Sequence, residues 1–216
     1  FRTADIVGLD TFVHVARNVY DSLPKDECRG VFSIPDFITE MVKRGWLGEK
    51  TKKGFYQKVG PDIHALDYKA MEYKPQTKPR FDSLGEAKGI DDVRERIKTL
   101  VSRDDRAAQF AWKVLSGTLI YTANRIPEIA DDIVNIDNAM KWGFNWDLGP
   151  FETWDAIGLK ESVARMEKEG QKIPSFVEKM LSKGKTSFYQ RKAAKTSFFD
   201  LSTGRHMAVP LDKRVI

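Results

Sequence analysis

The chain has 216 residues, 41% hydrophobic and 31% charged, with a formal net charge of +5. That apolar share supports a packed core and excludes a disordered or collagen-like chain. No run approaches the roughly 18 apolar residues that a membrane-crossing helix needs.

Taken in chain order, Thr3 is placed to cap a short helix that Gly8 ends in a left-handed conformation. A longer helix from about Asp10 is expected to bury Leu9, Phe12, Val13, Ala16, Val19 and Tyr20, with His14 merely packed or exposed. Pro35 suits the first turn of a helix that turns Phe37, Ile38, Met41 and Val42 to the core and stops at Gly45. After Phe55-Tyr56-Gln57 the pattern alternates through Ile63, Ala65 and Asp67, which reads as a short strand pair. Residues 74–90 have linker composition. Asp91 then opens a helix through Val93, Ile97, Leu100 and Val101. Another begins near Asp104, with Phe110, Ala111, Val114, Leu115, Leu119 and Ile120 on its apolar side.

The chain repeats itself. Phe1-Arg2-Thr3-Ala4-Asp5-Ile6-Val7-Gly8-Leu9 lines up with Phe151-Glu152-Thr153-Trp154-Asp155-Ala156-Ile157-Gly158-Leu159 at an offset of 150. Ile34-Pro35-Asp36-Phe37 matches Ile173-Pro174-Ser175-Phe176 at 139, and Phe55-Tyr56-Gln57 matches Phe188-Tyr189-Gln190 at 133. Leu66-Asp67 answers to Phe199-Asp200 at the same last offset, and 200–205 reads as the equivalent hairpin turn. Such ordered self-similarity marks two copies of one module. The class is mainly α: two tandem helical modules, each followed by a short β-hairpin. The boundaries read as 1–73 for a first module lacking its N-terminal helices and 74–90 for the linker. Residues 91–190 then form a second, complete but degenerate module, and 191–216 a hairpin and basic tail leading to a following domain.

Asp137-Asn138-Ala139-Met140 followed by Gly149-Pro150-Phe151 and Asp155-Ala156-Ile157-Gly158-Leu159 resembles the signature of the 3-hydroxyacyl-CoA dehydrogenase C-terminal domain. Gly45-Trp46-Leu47-Gly48-Glu49-Lys50 and Gly54-Phe55-Tyr56 resemble that family's module ending. Two such modules in tandem are similar to the multifunctional fatty-acid oxidation proteins, which fuse dehydrogenase and enoyl-CoA hydratase domains. The resemblance implies NAD on an upstream Rossmann domain that also carries the catalytic His and Glu. No G-x-G-x-x-G occurs in this chain, so neither cofactor-binding nor catalytic residues carry over to it. The family's substrate-side Asn-Arg pair, counted back from Asp137, lands near Ala111-Trp112-Lys113, where no Asn stands. Asn124-Arg125 has the right composition but lies too close to Asp137, and reads as a helix-end pair.

Several side chains invite a sharp reading beside a plain one. Asp5 and Asp155 hold matching positions, and a repeated Asp in a short helix more often bonds backbone N–H groups than carries catalysis. Lys50 and Lys53, with Lys52, could contact a CoA phosphate or form a solvated basic run. Trp142, Trp146 and Trp154 suit packing between modules more than an acyl pocket. Cys28 cannot form an internal disulfide, which fits a reducing, cytoplasmic setting, and no His or Asp nearby in sequence activates it. With His14, His64 and His206 far apart, no metal-ligand spacing exists. Residues 183–216 hold eight Lys or Arg against Asp200 and Asp212, a tail that could attract a polyanion or stay solvated. It lacks an Arg/Lys–aromatic repeat, so nucleic acid is not the expected partner.

The chain starts at Phe1 without Met or a signal segment and reads as a piece of a longer protein. The expected function is the C-terminal part of an NAD-dependent 3-hydroxyacyl-CoA dehydrogenase, with acyl-CoA as substrate of the parent and the fragment itself inactive. Its expected partners are the missing nucleotide-binding domain, an enoyl-CoA hydratase domain and a second copy in a homodimer. The alternative is a non-catalytic helical scaffold or dimerisation region with no ligand of its own.

Overall fold

A computed structural model describes residues 1–192 and 195–209. The fold is mainly helical and divides into two compact units, Phe1–Pro79 and Arg80–Ile216. In the first, α1 (Arg2–Val7) and α2 (Leu9–Ser22) are separated only by Gly8. Gly8 has φ 97° and ψ 129°, so the expected left-handed cap is instead a positive-φ extended bend. Its counterpart Gly158 has φ 90° and ψ 110°. Only glycine adopts that backbone without strain, and it lets two helices meet with no loop between them. Thr3 and Thr153 do not cap: both lie inside their helices, and the N-cap positions belong to Phe1 and Gly149.

Helix α3 (Asp36–Lys43) follows Pro35, which sits at its N-cap with φ −61°. The unit then closes on an antiparallel sheet of β1 (Tyr56–Val59), β2 (Asp62–Asp67) and β3 (Glu72–Pro75), in that order. The expected strand pair gains its third strand because Glu72–Pro75 pairs with His64–Asp67. Leu9, Val13, Ile38, Met41 and Phe55 form the core. Phe12, expected inside, is 43% exposed on the outer side of α2.

The second unit begins inside the segment expected to be a linker. Residues 82–88 form α4 (Asp82–Lys88), and the Ser83 backbone N–H and hydroxyl donate to the Asp105 carboxylate at 2.9 and 2.8 Å. Those tertiary bonds hold a helix that its own weakly apolar composition does not advertise. Helices α5 (Val93–Val101) and α6 (Arg106–Asn124) follow, capped by Asp92 and Asp105, each one residue beyond the expected start. The buried face of α6 is Ala108, Trp112, Ser116, Leu119 and Ala123, while Phe110 is 70% exposed and Val114 is also outside. Apolar residues surround this helix, so periodicity offers two stripes. The stripe carrying Trp112 and Leu119 is the one packed in the core.

Then come α7 (Ile133–Phe144), α8 (Pro150–Ile157), α9 (Leu159–Lys168) and α10 (Ser175–Ser182). The sheet of β4 (Tyr189–Lys192), β5 (Lys195–Asp200) and β6 (Arg205–Ala208) ends the described part. From α8 onward this order mirrors α1 to β3. Tyr56 pairs with Ala65 as Tyr189 pairs with Phe198, and the Leu66 N–H reaches the Phe55 carbonyl as that of Phe199 reaches Phe188. Asp212, Lys213 and Arg214 of the basic tail lie outside the described residues.

Of the three tryptophans expected at a module contact, only Trp154 is buried, at 0% exposure, whereas Trp142 is 64% and Trp146 43% exposed. Trp154 packs against Phe188 at 5.5 Å and its indole N–H donates to Ser162 Oγ at 2.8 Å. Trp154→Ala should therefore destabilise the second unit by about 3–5 kcal/mol, as for other buried aromatics. Phe110→Ser should stay within about 0.5 kcal/mol of the parent chain. Urea denaturation of the two variants checks both the core and the orientation of α6.

Candidate functional site

The same polar junction is built in both units. The Asp5 carboxylate accepts the Phe55 N–H at 2.8 Å on one oxygen and the Tyr56 N–H at 2.9 Å on the other. Asp155 accepts the Phe188 and Tyr189 N–H groups, each at 2.7 Å. A bidentate carboxylate satisfies two successive strand amides and ties the short helix to the first strand of the sheet. Asp5 is 5% exposed, and both carboxylates are spent on backbone donors. They are structural, as the repeated position suggested.

A third aspartate was not singled out by spacing. Asp137, on α7 and fully buried, accepts the Phe151 N–H at 2.8 Å and the Glu152 N–H at 3.0 Å. The Tyr189 hydroxyl donates to it as well. Burial pushes its pKa up to about 7, with the Glu152 carboxylate adding to the rise, against the pull of those three donors. Asp155 is raised to about 6, again chiefly by burial, while the two amides and Arg94 pull it down. Burial, then Asp137, drives the Tyr189 hydroxyl well above the ordinary tyrosine range. The only signal in the sequence was the place of Asp137 at the head of Asp-Asn-Ala-Met.

Beside each junction lies a cavity. That of the first unit, about 680 Å³, is bordered by Arg2, Asp5, Ile6, Tyr56, Lys58 and Ile63. That of the second, about 580 Å³, is bordered by the counterparts Glu152, Asp155, Tyr189, Arg191 and Thr196. Its further wall, Arg94, Asn138 and Lys141, comes from α5 and α7. Lys141 pairs with Glu152 at 3.2 Å.

Lys50 and Lys53 are brought to neither cavity wall. The Lys50 ammonium reaches both oxygens of Asp10 at 2.5 and 2.6 Å, which holds the Asp10 carboxyl below its usual range. Lys53 lies over the rings of Trp46 and Tyr73, at 4.3 and 5.0 Å from their centroids. The cations that do line the first cavity are Arg2, Lys52 and Lys58. In the second unit the loop is six residues shorter between Gly184 and Phe188, so Lys50 has no counterpart.

Trp112, where the family's Asn was sought, is 4% exposed. Its indole N–H donates to both Glu169 oxygens at 2.9 and 2.7 Å, and the Arg165 guanidinium covers its ring at 4.2 Å. Among the described residues no group of three or more His, Cys, Asp or Glu side chains could hold a metal, and no helix is long and apolar enough to cross a membrane. Both sheets are antiparallel, and no glycine-rich strand-to-helix turn occurs, so the described residues do not fit a dinucleotide.

Residues 1–58 match the family described as 3-hydroxyacyl-CoA dehydrogenase, C-terminal domain. The whole chain is 46% identical to a probable 3-hydroxyacyl-CoA dehydrogenase of Bacillus subtilis, of which it spans 27%. It is 25% identical over 162 residues, 70% of the chain, to a candidate fatty acid oxidation complex trifunctional enzyme of Rickettsia prowazekii, of which the match spans 20%. A probable 3-hydroxyacyl-CoA dehydrogenase of Deinococcus radiodurans is 43% identical over 59 residues, which is 27% of the chain and 16% of that protein. No solved structure matches the chain.

Asp137 and Asp155 give the second unit a pH signature. A carboxyl whose folded pKa lies above its unfolded value, here about 7 and about 6 against 3.8, keeps in the folded state a proton that unfolding releases. Its stabilising contribution is complete below about pH 4 and is lost as pH rises through the folded value. The urea midpoint of the second unit should therefore fall between pH 5 and pH 8. Asp137→Asn should flatten that slope and cost about 1–3 kcal/mol at pH 5, because one backbone N–H then faces an amide N–H. Tryptophan fluorescence during urea titration at the two pH values checks it.

Proposed function

We propose that the chain, whose residues 1–58 match the 3-hydroxyacyl-CoA dehydrogenase C-terminal domain family, is the C-terminal helical portion of an NAD-dependent enzyme of that kind. The parent would oxidise the hydroxyl carbon of a 3-hydroxyacyl-CoA to a 3-oxoacyl-CoA in fatty-acid oxidation. The carrying observation is the full-length match at 46% identity to a relative bearing the dehydrogenase name. NAD and the catalytic acid/base belong in this reading to another domain of the parent. The helical modules close the substrate cleft and associate, either with a second chain or with each other. An enoyl-CoA hydratase domain elsewhere in the same chain is a further proposed partner, in line with the trifunctional name of a relative. A chain with one cysteine, which cannot form an internal disulfide, supports a cytoplasmic location.

The proposed modules are residues 1–73, without their N-terminal helices, and 91–190. Helix α4 binds to α6 through Ser83 and Asp105, which favours counting residues 82–88 with the second module rather than with a linker. Trp112, sealed under Glu169 and Arg165, supports a second module that carries no chemistry. Where a substrate-side amide would be needed, this position offers a packed ring.

The chain alone should form no NADH from 3-hydroxybutyryl-CoA and NAD, while the parent should. Calorimetric titration of the chain with acetoacetyl-CoA separates the two roles left to it. Saturable heat that Lys50→Ala or Lys53→Ala weakens about tenfold would support their contact with CoA phosphates, a charge-assisted bond being worth that much. Silence at millimolar ligand would favour the scaffold reading, in which both modules serve closure and association only.

A further inference from the structure

Helices α5, α7 and α8 and strands β4 and β5 all contribute to the wall of the second cavity. Its charged members are three cations, Arg94, Lys141 and Arg191, and two carboxylates, Glu152 and Asp155. Both carboxylates are engaged. Asp155 holds the Phe188 and Tyr189 amides, and one Glu152 oxygen takes the Gly149 N–H at 3.0 Å and the Lys141 ammonium at 3.2 Å. The two guanidinium groups are largely uncommitted. Arg94 donates one long hydrogen bond, 3.4 Å to the Glu152 carbonyl. Arg191 is exposed and makes no hydrogen bond or ion pair among the described residues.

Neutral donors stand beside these cations. Among the described residues the side chains of Asn138, Ser187 and Thr196 hydrogen-bond nothing, and all three border the cavity. The equivalents of Ser187 and Thr196 in the first unit are Gly54 and Ile63, so the two copies differ here by hydroxyl groups that only the second unit has. Lys58 keeps the charge of Arg191 but not its planar fork, which matches two oxygens of one carboxylate or phosphate. Cations in excess over carboxylates already occupied give the cavity a potential that draws an anion. Its volume, about 580 Å³, falls in the range of about 300–1,000 Å³ usual for small-molecule sites. Val134 and Val209 add an apolar part to the wall.

We propose that this cavity binds a small organic oxyanion, a phosphate or carboxylate group on a short carbon skeleton, with Arg94 and Arg191 as its principal contacts. The bound group joins α5 to β4, and so ties the helices of the second unit to its sheet. The proposal goes beyond the dehydrogenase reading and does not depend on it. The oxyanion can be that of a free metabolite or a phosphate of CoA, and the two sources are separable by experiment.

The test is titration of the full chain with sodium phosphate at constant ionic strength, read by amide chemical shifts in nuclear magnetic resonance. The Ser187 and Thr196 amides should shift along a saturable curve, and those of their counterparts Gly54 and Ile63 should not. Arg191→Gln, on an exposed side chain that the fold does not use, should weaken apparent affinity about tenfold, as expected for loss of a charge-assisted bond. Arg94→Lys, which keeps the charge and loses the fork, should weaken it by less. Succinate and CoA titrations then identify the source, and each positive result supports the site. Saturable shifts at Ser187 and Thr196 with succinate assign it to small free anions, and the same shifts with CoA at lower concentration than phosphate assign it to the CoA phosphates. No saturable shift with any of the three probes would overturn the proposal. So would shifts that survive Arg191→Gln undiminished, or equal shifts at Gly54 and Ile63. Failure of the dehydrogenase reading appears only as absent NADH formation by the parent, which none of these measurements reads.

Discussion

A buried carboxylate that accepts two consecutive strand amides is the constraint on which each unit is organised. Asp5 and Asp155 sit on helices too short to persist alone, and a six-residue helix such as α1 has little intrinsic stability. Binding the first strand through both oxygens fixes the helix against the sheet and sets the register in which the remaining strands pair. The apolar core then fills in around the junction. Leu9, Met41 and Phe55 do so in the first unit, and Leu159, Met180 and Phe188 in the second. Because the strand amides at 55 and 56 would otherwise be buried without acceptors, losing the carboxylate costs more than the bonds themselves are worth.

Asp137 extends the device by one layer. It links α7 to the start of α8 and, through Tyr189, to the first strand, so three elements meet at one acceptor. With Glu152 and Asp155 close by, this is an acidic interior balanced by Arg94 and Lys141. Both oxygens of Asp137 and both of Asp155 accept backbone N–H groups, so each of these carboxylates ties neighbouring elements together.

Much of the fold was legible because the repeat carried its own cross-check. Asp5 and Asp155 could be read as structural from matched positions alone, and the structure gives each two amide donors. Other features depend on tertiary contacts that a linear pattern does not encode. Phe110 and Val114 look as buriable as Trp112 and Leu119 until the neighbours of α6 select one stripe. Helix α4 is weakly apolar and exists through Asp105, twenty-two residues later. Lys50 looked like a free cation because Asp10 lies forty residues away in sequence and 2.5 Å away in space. The role of Asp137 was hidden for the same reason, its donors being distant in the chain.

The identical strand boundaries of the two sheets raise a question of self-recognition. Repeated modules with one register are prone to exchange equivalent elements during folding. Here the corresponding side chains of the middle strands differ sharply in size: Ala65 and Leu66 in one sheet, Phe198 and Phe199 in the other. Phe198 and Phe199 are 7% and 4% exposed and belong to the core of the second unit, so the smaller pair would leave part of it unfilled. A sheet seated in the wrong unit would leave a void in one core and overcrowd the other, and both errors are costly in a close-packed interior. Side-chain volume, rather than backbone pairing, thus tells each strand which half of the chain it belongs to.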